Sequence, residues 1–211
     1  MNTTVNIALP KGRIGKASYD VFAFAGFECI DFEDNSRKLI FDSIDGELRF
    51  FRVKPSDVSI YVERGAADIG VVGKDVLMEN DPDVYELMDL DEGKCRMMVA
   101  APRGFRDNVD RTLRVATKYP VIASQYYSGK GRDIEIIELN GSIEIAPLLG
   151  LSDVIVDLVQ TGNTLKANDL EPIDVVAEIS ARLIANKASL KFKIKAIEEI
   201  LDAIRGKEKK R

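Results

Sequence analysis

Apolar positions along the chain repeat with two periods, every second residue in some segments and every third or fourth residue in others. Residues 5–9 alternate and predict a strand, and residues 14–25 repeat at helical spacing up to Gly26. Further strands are predicted at 37–41, 46–53, 68–73, 95–101, 113–117, 134–139 and 154–156. Further helices are predicted at 55–65, 120–127, 142–150 and 194–204. Helices that alternate with strands predict an α/β protein with mostly parallel sheets.

One segment of the chain is similar to an earlier one. Residues 65–71 (GAADIGV) resemble residues 150–156 (GLSDVIV), and each segment follows a short predicted helix and enters a buried strand. A match of this length also arises by chance. Two α/β lobes of comparable construction, with a cleft between them, would explain it.

The composition is that of an ordinary soluble globular protein, with 211 residues, 45% hydrophobic and 31% charged. A net charge of −5 argues against a general nucleic-acid partner. Residues 1–5 lack the pattern of a secretory signal, and no apolar run reaches the roughly 20 residues that span a bilayer. We therefore expect a cytoplasmic protein with no membrane and no nucleic-acid partner.

The absence of histidine limits the chemistry that the chain can perform. It excludes a Ser-His-Asp triad, a Cys-His pair and a histidine-based zinc site. The two cysteines, Cys29 and Cys95, lie far apart and are expected to be reduced, half-buried thiols. Any reaction must use carboxylates, lysines, arginines, backbone dipoles or a metal ion held by carboxylates.

The most informative segment is Asp157–Thr164, which follows the apolar run 154–156. Its Thr161-Gly162-Asn163-Thr164 turn offers two hydroxyls and several backbone N–H groups to one small volume, which suits a phosphate group. The Asp157 carboxylate would repel phosphate, so we expect it to hold the two hydroxyls of a ribose. The alternative is a polar turn without a ligand, because these are ordinary turn residues.

Four further segments carry candidate chemistry. Lys11-Gly12-Arg13 follows the first strand, where ligands bind in open α/β sheets, and its two cations suit a polyphosphate. Residues 52–55 and 70–75 end strands in the same half and could line the same cleft. Glu144 is at a helix start, where it could hold Mg²⁺ or ribose hydroxyls. A solvated turn or a favourable charge at a helix end explains each segment equally well in isolation.

Together these segments resemble the signature of the ATP phosphoribosyltransferase family. The resemblance runs from about residue 5 to residue 195, with the motifs in the family's order. It rests on residues 141–147 (GSIEIAP), 157–165 (DLVQTGNTL), 11–13 (KGR), 65–75 (GAADIGVVGKD), 93–96 (GKCR) and 116–120 (ATKYP).

The resemblance implies a reaction and a fold. In the reaction, N1 of the adenine of ATP attacks C1′ of phosphoribosyl pyrophosphate, with Mg²⁺ bound to the substrate, in the first step of histidine biosynthesis. The fold is two-lobed and of the type II periplasmic-binding-protein kind, with the active site in the cleft between the lobes. The expected ATP lobe comprises residues 1–89 and 183–211, and the expected phosphoribosyl pyrophosphate lobe comprises residues 90–182.

The resemblance also assigns roles to residues. The catalytic group is Lys11, Arg13 and Glu144. The phosphoribosyl pyrophosphate contacts are Asp157, Thr161, Gly162, Asn163 and Thr164. The ATP contacts are Lys11, Arg13, Arg52 and Gly73. Asp157 and Glu144 would also contact the substrate-bound Mg²⁺. Residues 52–57 depart from the family's usual run, which leaves the ATP contacts of this segment open.

The length of 211 residues leaves no room for the C-terminal regulatory domain of the family's long form. The chain therefore resembles the short catalytic subunit. The resemblance implies a regulatory partner similar to histidyl-tRNA synthetase, an assembly with it as a hetero-octamer, and a homodimer when the chain is alone. Two other functions stay open: a solute receptor, which has the same fold, and a phosphoribosyltransferase that uses another acceptor base.

Overall fold

The computed structural model describes residues 4–33 and 36–208, which form two compact units. The first unit comprises the chain up to Leu77, Asp81–Gly93 and the chain from Ser180 onward. The second unit comprises Met78–Asn80 and Lys94–Ile179. Each unit is built around one β-sheet.

The division differs in detail from the lobe boundaries expected at 89/90 and 182/183. The units of the structure change at 93/94 and 179/180. The expected boundary at 182/183 falls within the strand Ala181–Ala185, which pairs in the sheet of the first unit. Only Ser180 separates this strand from the preceding one, so no turn sequence marks where it begins.

The sheet of the first unit has six strands. Their bounds are β1 Val5–Pro10, β2 Ile40–Asp42, β3 Leu48–Val53, β4 Ile69–Gly73, β5 Tyr85–Asp89 and β11 Ala181–Ala185. They lie in the order β2-β3-β1-β4-β11-β5. Alternating residues of β1 enter different cores: Ile7 and Leu9 pack in a cluster on one face, and Ala8 packs in a cluster on the other. The sheet is therefore buried on both faces.

The helices of this part of the chain follow the predicted order, with two additions. They are α1 Arg13–Phe24, a 3₁₀ turn Pro55–Asp57 leading into α2 Val58–Glu63, α3 Lys74–Asn80, α7 Lys187–Phe192 and α8 Ile194–Glu208. The sequence pattern did not predict α3 or α7. In the described part of the chain, no helix is both long enough and apolar enough to cross a bilayer.

The sheet of the second unit has five strands. Their bounds are β6 Cys95–Pro102, β7 Leu113–Thr117, β8 Ile134–Glu138, β9 Val154–Val159 and β10 Leu170–Ile179, and their order is β10-β6-β9-β7-β8. The helices are α4 Pro120–Gly129, α5 Ile145–Leu148 and α6 Asn163–Ala167. Consecutive residues of β6 pack on opposite faces, with Met97 in one core cluster and Met98 in another.

The prediction of mostly parallel sheets was wrong. Among the described residues, three strands of each sheet run parallel, β3-β1-β4 in the first unit and β8-β7-β9 in the second. Antiparallel strands extend both sheets, including β11 on β4 and β6 on β9. The error arose because β10 and β11, which connect without a helix, were not recognised, and because β2 and β6, which were, pair antiparallel with β3 and β9. Neither Cys29 nor Cys95 forms a disulfide, and both are half-buried, as predicted.

The similarity between residues 65–71 and 150–156 corresponds to a similar backbone. Gly65 and Gly150 both have a positive φ, of 74° and 71°. Each glycine precedes a parallel strand of its own sheet, β4 in the first unit and β9 in the second. The repeated sequence therefore marks the same connection in two separately folded units.

Candidate functional site

A pocket of about 230 Å³ lies beside the end of β9 in the second unit. Four of the five residues predicted to contact phosphoribosyl pyrophosphate line it, and Asn163 is next to them in the chain. The predicted Glu144 lines it too. The complete lining is Glu144, Asp157, Leu158, Val159, Gln160, Thr161, Gly162, Thr164 and Leu165. The structure therefore brings together residues that the sequence separates.

The turn at the pocket depends on Gly162. Its φ of 75° lies in the left-handed region, where a side chain would be strained, and it directly precedes α6. The hydroxyl of Thr161 accepts a long hydrogen bond from Asn163 N, at 3.4 Å, and the side chains of Thr161 and Thr164 are exposed. Both hydroxyls are accordingly at the surface of the pocket, where a ligand can reach them.

Asp157 is the half-buried carboxylate of this pocket. Burial, with a smaller contribution from the negative charge of Glu144, raises its pKa to about 6. The N–H of Leu158, which donates to Asp157 Oδ1 at 2.7 Å, acts on the pKa in the opposite direction, and so does the positive charge of Lys118. The charges of Glu144 and Lys118 therefore both act on the Asp157 carboxylate.

Glu144 precedes α5 and is half-buried. Ser142, two residues earlier, has a φ of 50°, which turns the chain at this point. Among the described residues, no three His, Cys, Asp or Glu side chains are grouped as a metal-binding set. The donor set fits two carboxylate contacts to a cation that arrives with its ligand, rather than a site that the protein closes alone.

In the first unit, Lys11-Gly12-Arg13 follows β1 directly and begins α1. Gly12 has a φ of 88°, and the N–H of Lys11 donates to Val53 O at 2.8 Å, at the end of β3. The turn is tight because α1 starts close to the strand: a Cβ on Gly15 would lie 1.6 Å from Pro10 O. The side chains of Lys11 and Arg13 are exposed at this strand end.

Gly73 ends β4, which is the other parallel neighbour of β1. A Cβ on Gly73 would lie 2.1 Å from Asp75 Oδ1, so no other residue fits here without a shift. Lys11, Arg13 and Gly73 thus all lie at the carboxyl ends of adjacent parallel strands. Ligands of open α/β sheets bind at such an edge.

Arg52 does not join this group. It is 7% exposed, and its guanidinium lies 5.2 Å and 5.0 Å from the ring centres of Phe32 and Phe41. Its Nη2 donates to three backbone carbonyls, those of Glu33, Ser36 and Lys38. Arg52 therefore stabilises the loop between α1 and β2. The basic residue exposed after β3 is Lys54, which the sequence interpretation did not single out.

The predicted site residues thus form two groups. Lys11, Arg13 and Gly73 belong to the first unit, and the acid and hydroxyl groups around Asp157 belong to the second.

The sequence model of the ATP phosphoribosyltransferase family, HisG, matches residues 54–206. The chain belongs to this family. It is 54% identical to the ATP phosphoribosyltransferase of Brachyspira hyodysenteriae over 205 residues, which cover 93% of this chain and all of that protein. The family prediction made from the motifs is confirmed.

Solved structures agree with the family and with the fold. The ATP phosphoribosyl transferase (HisG:HisZ) complex from Thermotoga maritima contains a chain with a TM-score of 0.82 and 32% identity, covering 96% of this chain and 97% of that one. A substrate binding protein of an amino acid ABC transporter has a TM-score of 0.59 at 12% identity. The match covers 99% of this chain and 94% of that chain. That likeness concerns the fold alone. The predicted two-lobed fold of the periplasmic-binding-protein type is confirmed.

Proposed function

We propose that this chain transfers the phosphoribosyl group of phosphoribosyl pyrophosphate to N1 of ATP, which is the first step of histidine biosynthesis. The observation that carries the proposal is the pocket in the second unit, where Asp157 and Glu144 line the same space as the Thr161–Thr164 turn. An acid beside a hydroxyl-rich turn suits a ribose that carries a phosphate.

The reaction fits a chain without histidine. The lone pair of adenine N1 forms a bond to C1′ of the ribose, while the bond from C1′ to the pyrophosphate oxygen breaks and its electron pair leaves with pyrophosphate. Adenine N1 carries no proton, so no general base is needed. The protein must hold ATP and phosphoribosyl pyrophosphate in line and stabilise the charges that develop on the ribose and on the leaving group.

The residues of the second unit bind the phosphoribosyl group in this proposal. The hydroxyls of Thr161 and Thr164, with the backbone around Gly162 and Asn163, bind the 5′-phosphate. Asp157 accepts hydrogen bonds from the ribose hydroxyls. Glu144 supports the positive charge that develops on the ribose.

The cations of the first unit have a different role. Lys11 and Arg13 bind the phosphate groups of ATP or the departing pyrophosphate, because an arginine fork and a lysine both suit phosphate oxygens. Gly73 lets the ATP approach the backbone closely. The position of all three at the carboxyl ends of β1 and β4 supports this assignment.

Mg²⁺ belongs to the substrate in this proposal. Asp157 and Glu144 are the carboxylates that would contact the cation when phosphoribosyl pyrophosphate brings it. When bound, Mg²⁺ would neutralise part of the charge on the pyrophosphate leaving group.

We further propose that the chain assembles with a regulatory subunit of the HisZ kind as a hetero-octamer, and that it forms a homodimer when alone. The similar Thermotoga maritima chain is part of a HisG:HisZ complex, which supports a partner of this kind. An exposed apolar segment supports an interface: Ile145, Leu148, Leu149 and Leu151 are 47%, 48%, 79% and 48% exposed.

The experiment that tests the activity is the formation of phosphoribosyl-ATP, followed by its ultraviolet absorbance, from ATP, phosphoribosyl pyrophosphate and Mg²⁺. We expect absorbance to increase only when both substrates are present, with pyrophosphate released in equal amount. The same fold also serves solute receptors, so a receptor is the competing function. Binding of a small solute without any turnover would favour the receptor. Turnover with another nucleotide but not with ATP would identify a different acceptor.

A further inference from the structure

The motif Ala116–Pro120 carries part of the family resemblance, but none of the proposed substrate contacts uses it. It lies where β7 ends and α4 begins. β7 and β9 are parallel neighbours, with Thr117 in register with Val156. The next residues of the chain, Lys118 just past the end of β7 and Asp157 within β9, therefore lie side by side.

The backbone at Lys118 is fixed by a buried hydroxyl. Thr117 is fully buried, and its Oγ1 donates to Val156 O at 2.7 Å and accepts from Tyr119 N at 2.9 Å. The first bond joins the end of β7 to the middle of β9, and the second closes the turn around Lys118. The Lys118 side chain is exposed, and its charge acts on the Asp157 carboxylate.

The pocket beside Lys118 has the wrong charge for a polyphosphate ligand. Among the described residues, those that line it include two acids, Glu144 and Asp157, and no lysine or arginine. Phosphoribosyl pyrophosphate carries several negative charges on its two phosphate-bearing ends. A hydroxyl turn alone supplies neutral donors, and charge-assisted hydrogen bonds are about twice as strong as neutral ones.

We propose that Lys118 binds the pyrophosphate group of phosphoribosyl pyrophosphate. The assignment rests on the proposed function and on the shape of the ligand. The 5′-phosphate and the 1′-pyrophosphate leave a ribose on opposite sides of its 2′,3′-diol. With the diol at Asp157 and the 5′-phosphate at the Thr161–Thr164 turn, the pyrophosphate extends to the other side of Asp157, toward β7. Lys118 is the cation at the end of that strand.

The test compares Lys118→Gln with wild type in direct binding of two probes, inorganic pyrophosphate and ribose 5-phosphate, by titration calorimetry with Mg²⁺. We expect pyrophosphate to bind about tenfold or more weakly to the variant, because a charge-assisted bond is lost. Ribose 5-phosphate should bind as it does to wild type. Lys118→Arg should keep most of the pyrophosphate affinity, because it keeps the charge.

A matched control is Lys191→Gln, which makes the same charge change on an exposed helix of the first unit. It should bind both probes as wild type does. Unchanged pyrophosphate binding in Lys118→Gln would overturn the proposal, as would a loss of ribose 5-phosphate binding of the same size. Wild type that binds neither probe and forms no phosphoribosyl-ATP would instead show that the proposed function itself is wrong.

Discussion

Asp153 makes in the second unit the contacts that Asp68 makes in the first. Asp68 Oδ2 accepts from Asn6 N at 2.8 Å, and Asp68 N donates to Asn6 O at 2.9 Å. Asp153 forms the same reciprocal pair with Arg114, at 2.9 Å in each direction. Each carboxylate also meets a cation, Lys193 for Asp68 and the guanidinium of Arg114 for Asp153. Both acids fix the start of a parallel strand to its neighbour.

Replacing Asp153 by Asn should destabilise the second unit. The guanidinium of Arg114 lowers the pKa of Asp153, so the carboxylate stabilises the fold above its ordinary pKa. This stabilisation is lost as pH falls through the lowered value in the folded state. We expect the melting temperature of Asp153→Asn to be about 5 °C lower at pH 7. The difference in melting temperature between the variant and wild type should become smaller at acidic pH. Asp42→Asn, at an exposed ion pair with Arg49, is the control and should melt close to wild type.

Thr161→Val should weaken the binding of phosphoribosyl pyrophosphate by about tenfold or more. The change keeps the side-chain volume and removes one hydrogen bond to a charged phosphate, which contributes roughly 1.5–3 kcal/mol. Thr161 is exposed, so folding should be unaffected. Titration calorimetry measures the affinity, with Thr112→Val, at another exposed position of the second unit, as the control. Equal affinities in the variant and wild type would contradict the phosphate assignment.

Asp157→Asn should make the protein more stable and less active. Burial raises the pKa of Asp157 to about 6, so the folded protein binds this proton more tightly than the unfolded chain does. Stability therefore falls between about pH 4 and pH 6 as the carboxylate ionises, by about 3 kcal/mol for a shift of roughly two pKa units. Asparagine does not ionise, so the variant keeps this stability, and its side-chain oxygen can still accept a hydrogen bond from Leu158 N.

Two measurements check the prediction for Asp157→Asn. Denaturant unfolding at pH 7.5 should show a higher midpoint for the variant, whereas the exposed Asp110→Asn should not change it. The wild-type rate should decline as pH falls through about 6, because the ionised carboxylate holds the ribose. A variant that turns over at the wild-type rate would rule out this role.

Arg13→Lys should reduce turnover although it keeps the positive charge. Lysine lacks the planar fork that contacts two phosphate oxygens at once, so we expect the rate to fall by about tenfold. The control is Arg49→Lys, which changes an exposed arginine of the same unit that is paired with Asp42. Steady-state kinetics with each substrate varied in turn decide the outcome. Full activity in Arg13→Ala would show that this side chain has no part in the reaction.

Regulation should require a second protein. We expect low or modest activity and weak histidine inhibition for the chain alone, with both increased by a HisZ-type subunit. A histidine dose response of the rate, with and without the partner, measures both the activation and the inhibition. Leu149→Asp should weaken assembly with the partner, because Leu149 is an apolar side chain that is 79% exposed. Strong, saturable inhibition of the isolated chain would contradict the proposed regulation and leave the catalytic proposal intact.

The sequence predicted the parts of the fold where local pattern and turn chemistry agree. The turn at Gly162 was predictable because a glycine followed a clear apolar strand, and the structure has a turn there with a positive φ. β10 was not predictable, because its register shifts near Pro172 and again after Val175. Each irregularity exchanges the two faces of the strand and so destroys the period of two on which recognition depends.

The sequence singled out Glu144 and the Asp157–Thr164 turn, which line one pocket, but it did not show where two basic side chains lie. Arg52 was expected at the ligand edge because it lies near the end of a strand. Its side chain instead packs on the rings of Phe32 and Phe41 and donates to three carbonyls of the loop between α1 and β2. Lys118 was not predicted as a site residue. Its proximity to Asp157 depends on the register of β7 and β9, which are separated along the chain by a third strand, β8.

The first unit is discontinuous, and this dictates an order of events during synthesis. Its sheet needs β11, because that strand lies between β4 and β5. A nascent chain therefore exposes the edges of β4 and β5 until residue 185 has left the ribosome. All strands of the second unit, from Cys95 to Ile179, are made before that point. The second unit can thus fold first, and the first unit completes its sheet only afterwards.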